Sequence, residues 1–232
     1  MFALIQAMVP GLGKRAEIER IVHAYILAHP EILPEAMEKL RANEALKAEQ
    51  AERDAQKALP ASLGAVQKPY PGAEAGNPQG DVTVVAFMDY ACGYCRASLP
   101  AIEELIAKDP GVRVVYREYP VLGPASIVAA RWALAAAEQG KYIAFHSALY
   151  AEGPPSSESI LAAAAKAGLD KALAEKAIES KAVKDEVTAN HALGQKLAMS
   201  GTPSWVIGGT LYLDGAKDYE GLAAAVADAR KK

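Results

Sequence analysis

The chain has 232 residues, 51% of them hydrophobic, with 25 Lys and Arg against 28 Asp and Glu for a net charge of −3. This supports one large domain, or one medium domain with an appendage, whose core needs no disulfide staples. It excludes the basic footprint of a nucleic-acid binder, and no run of about 20 apolar residues marks a membrane-spanning helix.

The opening MFALIQAMVPGL is apolar, but no basic residue precedes it and Lys14 and Arg15 follow it. That order is wrong for an export signal. Residues 15 to 59 read as helical and charged, broken at His29-Pro30. Ile18, Ile21, Val22, Tyr25 and Ile26 keep the 3–4 spacing of one helix face. Pro34 suits a first helical turn, and the run from Glu35 to Leu59 has no breaker. Its apolar positions (Met37, Leu40, Ala48, Ala51, Ala55, Leu59) are few and mostly small. Such a helix is marginal alone. It either lies solvated on its own domain or contacts other subunits of a symmetric oligomer, and so little apolar surface on so long a helix favours the oligomer. Residues 60 to 80, rich in Pro and Gly and without hydrophobic period, read as a linker. The expected organisation is therefore an arm (1–59), a linker (60–80) and a main domain (81–232).

The main domain begins with VTVVAFM (82–88), a pattern for a strand buried on both faces. RASLPAIEELIAK after it reads as a helix with Pro100 inside, and VRVVYREYP (112–120) as a second strand. From about 124 to 199 the pattern is helical, divided at Gly140, a GPPSS turn and Gly168. WVIG and TLYLDG form short strands joined around Gly208-Gly209, and DYEGLAAAVADARKK closes the chain as an amphipathic helix. The order predicts an α/β domain with a helical insertion.

Between the first strand and its helix lie the only two cysteines, in CGYC: Cys92 and Cys95. At a helix start the free first-turn amides and the dipole favour a thiolate on Cys92, with Arg96 one turn along to add positive charge. Cys95, on the same face but deeper, is expected to stay a thiol. A nucleophile with a resolving partner three residues on is what thiol–disulfide exchange needs. Structural zinc needs four ligands, whereas no second CxxC occurs and His23, His29, His146 and His191 are scattered. Copper(I) suits a soft thiolate pair and is compatible with redox chemistry. In GTPSWVIGG, Thr202-Pro203 precedes a strand. A proline there is either an edge device or, if its peptide is cis, a means of exposing backbone groups to an extended substrate.

These features together resemble the thioredoxin fold in its DsbA form: strand, CxxC, helix, long helical insertion, then Thr-Pro, hairpin and helix. AGNPQGDVTVVAFMDYACGYC resembles the start of the catalytic domain, AARWALAAAEQGKYIAFHSALY the insertion, and IVHAYILAHPEILPEAMEKL the N-terminal extension of the suppressor-of-copper-sensitivity C group. The resemblance spans roughly residues 16 to 228. It implies a thioredoxin fold with a DsbA-like helical insertion, preceded by helices that join subunits into an oligomer, a trimer on the group's pattern, and a periplasmic location with the signal removed before residue 1. It also implies Cys92 and Cys95 as catalytic, Thr202 and Pro203 as substrate-binding, and Gly93 and Tyr94 as tuning the redox poise. Gly-Tyr between the cysteines and threonine before the proline resemble the isomerases and not the oxidase DsbA, which has Pro-His and valine. A disulfide isomerase or reductase of misoxidised proteins is thus implied, kept reduced by a membrane thiol reductase of the DsbD or ScsB kind, with no small-molecule cofactor. A DsbA-like oxidase and a copper(I)-binding protein are the alternatives. One departure stands out: the carboxylate that the family often carries six residues before the first cysteine is Ala86 here.

Overall fold

The computed structural model describes residues 12–231, so the apolar opening read above as lacking an export signal lies largely outside the described residues. The chain divides into two units, residues 1–50 and 51–232.

In the first unit lie α1 (Leu12–Ala28) and most of α2 (Ile32–Ala58), interrupted at the expected His29-Pro30 position. Ile18, Ile21, Val22, Tyr25, Met37 and Leu40 are each about half exposed or more. The expected apolar stripe thus exists and is uncovered within one chain.

The second unit is a five-stranded sheet in the order β1 (Glu74–Gly76), β3 (Val112–Glu118), β2 (Val82–Met88), β4 (Ser204–Ile207), β5 (Thr210–Tyr212). The central pair β2·β3 is parallel, with Val84 opposite Val114 and Met88 opposite Glu118; the other pairings are antiparallel. Strand β2 is buried on both faces, as its unbroken apolar run requires. Val84, Ala86 and Met88 face a core shared with α4 (Gly93–Lys108), α5 (Pro124–Glu138), α6 (Tyr142–Glu152) and α7 (Ser157–Lys166). Val85 and Phe87 face a smaller core with Ala55, Leu59, Val66, Leu197 and Met199. The insertion continues through α8 (Lys171–Ala177) and α9 (Lys181–Lys196), and α10 (Tyr219–Ala229) packs on α4.

Residues 60–80, expected from composition to be a linker, pack onto the sheet. A 3-10 turn (Leu59–Ser62) and α3 (Leu63–Gln67) precede β1, and Leu59, Val66, Tyr70 and Ala73 are buried. Buried Arg117 of β3 explains why: its guanidinium donates to the carbonyls of Ala65, Val66 and Lys68 and pairs with Glu186 at 2.8 Å. Burying a guanidinium is tolerable only with every donor so occupied. Composition reported the loss of period but not this anchor.

Candidate active site

Strand β2 ends at Met88, and a three-residue turn carries the chain to Cys92, so the first cysteine caps α4 and does not end the strand. Cys92 Sγ accepts the Cys95 N–H at 3.4 Å, the bond expected of a helix cap. Both thiols are free. Cys92 keeps 6% of its surface exposed and Cys95 none. Burial, the largest effect, pushes the Cys95 thiol far up, partly opposed by the Asp89 N–H that its sulfur accepts at 3.5 Å. The Thr202–Pro203 peptide is cis, and the Cys92 thiol donates to Thr202 O at 3.1 Å across 110 residues of sequence. The fold thus brings Cys92, Cys95, Thr202 and Pro203 together. Gly93 and Tyr94 lie in the first turn of α4, with Tyr94 71% exposed. The guanidinium of Arg96, expected to add charge at Cys92, makes no described contact with either thiol, and its Nε is buried without a partner. Among the described residues no three His, Cys, Asp or Glu side chains cluster to hold a metal ion.

Beneath the cysteine turn lies a polar cluster that no motif announced. Glu118, 3% exposed, accepts from Tyr142 OH at 2.6 Å and Tyr90 OH at 3.2 Å. Tyr90 OH also meets His146 Nδ1 at 2.8 Å, and Tyr150 OH donates to Asp89 O at 3.0 Å. Burial pushes Glu118 up to about 8, against the two tyrosine hydrogen bonds, and lowers His146 to about 3. Ala86 is fully buried between Tyr116 and Trp205 of the neighbouring strands. A buried carboxyl is present on that same sheet face after all, at Glu118. One signal was available: Tyr142, His146 and Tyr150 recur every fourth residue on a helix whose other inward positions are apolar.

Residues 83–227 match the DSBA-like thioredoxin domain. The chain belongs to the DSBA-like thioredoxin family. Residues 15–46, within the first unit, match the copper resistance protein ScsC N-terminal domain. Among solved structures, a thioredoxin-like oxidoreductase from Silicibacter pomeroyi DSS-3 is 44% identical, covering 70% of this chain and 94% of that one at a TM-score of 0.67. Proteus mirabilis ScsC in a transitional conformation is 26% identical at a TM-score of 0.67, covering 96% of this chain and 97% of that one. The curated Na(+)/H(+) antiporter NhaA 3 of Salinispora tropica is 30% identical over 157 residues, 66% of this chain. The chain spans 24% of the length of that relative, and no described helix here is long and apolar enough to cross a membrane. The family match and these neighbours establish a DsbA- and ScsC-type thiol–disulfide oxidoreductase fold.

Proposed function

We propose that the chain exchanges disulfides with misoxidised proteins as an isomerase and reductase, with Cys92 as nucleophile and Cys95 as resolving thiol. The observation that carries this reading is the placement of Cys92 Sγ. It sits at the positive end of α4, under an amide donor, and against Thr202 O beside Pro203. The Cys92 thiolate attacks one sulfur of a substrate disulfide, forming a mixed disulfide and expelling the other sulfur as a thiolate. If another thiolate of the substrate attacks the substrate sulfur of this mixed disulfide, a new substrate disulfide forms, Cys92 leaves as a thiolate and the substrate has isomerised. If none does, Cys95 loses its proton and attacks Cys92 Sγ; a Cys92–Cys95 disulfide forms and the substrate leaves reduced. Full burial of Cys95, which holds its proton, supports the order of the two roles.

Thr202 and Pro203 line the place where a substrate strand lies, and uncharged Gly93-Tyr94 leaves the reduced state without the extra stabilisation that makes an oxidase. The reading includes a periplasmic location and a membrane thiol reductase of the DsbD or ScsB kind to return the oxidised enzyme to the dithiol. The uncovered stripe of α1 and α2 supports self-association through residues 15–50, as a trimer on the family's pattern. Several Cys92 sites around one substrate then raise the effective thiolate concentration.

The test is recovery of activity by a scrambled multi-disulfide protein on addition of the reduced enzyme. Catalysed recovery, lost in Cys92→Ser, supports the proposal. Oxidation of reduced substrate without unscrambling assigns an oxidase instead.

A further inference from the structure

One buried carboxylate outside the cysteine pair holds the site together. Asp89 is 1% exposed, and its backbone touches both thiol residues: its N–H donates to Cys95 Sγ at 3.5 Å, and its carbonyl accepts the Cys92 N–H at 3.0 Å. The side chain faces elsewhere. Oδ1 accepts the Ala91 N–H at 2.8 Å, while Oδ2 accepts the N–H groups of Val121 and Leu122 at 2.8 and 2.9 Å. A carboxylate bound by three amides is a strong, directional clamp. It fastens the loop after β3 to the turn that carries Cys92.

The loop is fixed at its other points too. Tyr119 N–H donates to Met88 O and Tyr119 OH to Met199 O, and His191 Nε2 meets Pro120 O at 3.0 Å. What it leaves outward is apolar: Val121 is 37% and Leu122 55% exposed. Resting on the assignment of Cys92 as nucleophile, the occupant of this edge follows from the reaction. A sulfur attacked by Cys92 must come within bonding distance of Cys92 Sγ, so the residues beside the substrate cysteine lie over the surface around the turn to which Asp89 fastens this loop.

We infer that Asp89 is a positioning residue for protein substrates, holding Val121 and Leu122 as an apolar edge that selects cysteines flanked by apolar side chains. Because the backbone contacts of Asp89 with the cysteines do not need its carboxylate, substitution there acts on the edge more than on the thiols.

The test compares exchange rates of the reduced full chain with three probes: glutathione disulfide, and two cystine-linked peptide dimers whose cysteine is flanked by leucine or by serine. The wild type is expected to favour the leucine-flanked dimer. Asp89→Ala and Leu122→Ser are each expected to lower that preference about tenfold, and the double variant to lower it little further, as two changes on one contact should. Exposed Leu122 carries the test even if Asp89→Ala folds poorly. Absence of the preference in wild type, its survival in both variants, or an equal fall with all three probes would overturn the inference. Failure of the nucleophile assignment is separate: Cys92→Ser would then still exchange with glutathione disulfide.

Discussion

The Glu118 cluster makes stability depend on pH in a way one substitution exposes. Burial raises Glu118 from its ordinary 4.5 to about 8, so the folded state holds this proton more tightly than the unfolded chain. Its contribution is fully present below 4.5 and is lost as pH rises towards 8, at about 1.4 kcal/mol per pH unit. His146, lowered from 6.5 to about 3, acts in the opposite sense: its contribution is present above 6.5 and lost as pH falls towards 3. Between 4.5 and 6.5 the two slopes cancel. Above 6.5 the Glu118 slope is no longer offset by His146, and this carboxyl should cost the wild type about 2 kcal/mol by pH 8. Glu118→Gln keeps an oxygen for the Tyr90 and Tyr142 hydroxyls but cannot ionise. Its stability should rise with pH from 4.5 to 6.5, where His146 is no longer offset, and then stay level. Urea unfolding of both reduced proteins at one concentration, followed by tryptophan fluorescence, gives the difference curve, in which all shared titrations cancel. Parallel curves between pH 6.5 and 8 would refute the assignment of a neutral, buried Glu118.

Cys95→Ser should accumulate mixed disulfides between Cys92 and substrate proteins, seen as added mass on non-reducing gels, while Cys92→Ser forms none; equal trapping by both would reverse the roles. Removing residues 1–50 should leave a folded monomer by light scattering, whereas removing 1–59 also takes Ala55 and Leu59 out of the smaller core and should cost about 2–5 kcal/mol more. A 1–50 deletion that stayed oligomeric would place self-association elsewhere. Gly194→Ala would set a Cβ 2.5 Å from the Tyr119 ring, so a loss of about 1–3 kcal/mol in urea unfolding is expected, and an unchanged midpoint would show that the ring moves freely.

The sequence was most legible where local pattern and burial agree. The run VTVVAFM, the helix after CGYC, the break at His29-Pro30 and the hairpin at Gly208-Gly209 all follow from period and turn residues. Partners distant in the chain were not legible. Arg117 and Glu118 stand side by side in a strand pattern, and because side chains alternate, one goes to the carbonyls of Ala65, Val66 and Lys68 and the other to Tyr90 and Tyr142. Nothing local distinguishes that from an exposed edge with two charges. The same holds for Asp89, three residues before Cys92, whose clamp on the loop after β3 uses amides 32 and 33 residues away. Strand β1, three residues long, carried no pattern at all.

Gln56, near the end of α2, offers its side-chain amide to the outer edge of the sheet. Nε2 donates to Gly209 O at 3.2 Å, and Oε1 accepts the Leu211 N–H at 2.7 Å. The amide thus fills two backbone positions, Gly209 O just before β5 and Leu211 N–H within it, that another strand would otherwise take, and an open strand edge is where chains recruit one another into unwanted sheets. The root of the helical arm therefore doubles as a guard against aggregation. That matters for a protein whose proposed work is to stay close to misfolded chains with unpaired strands of their own.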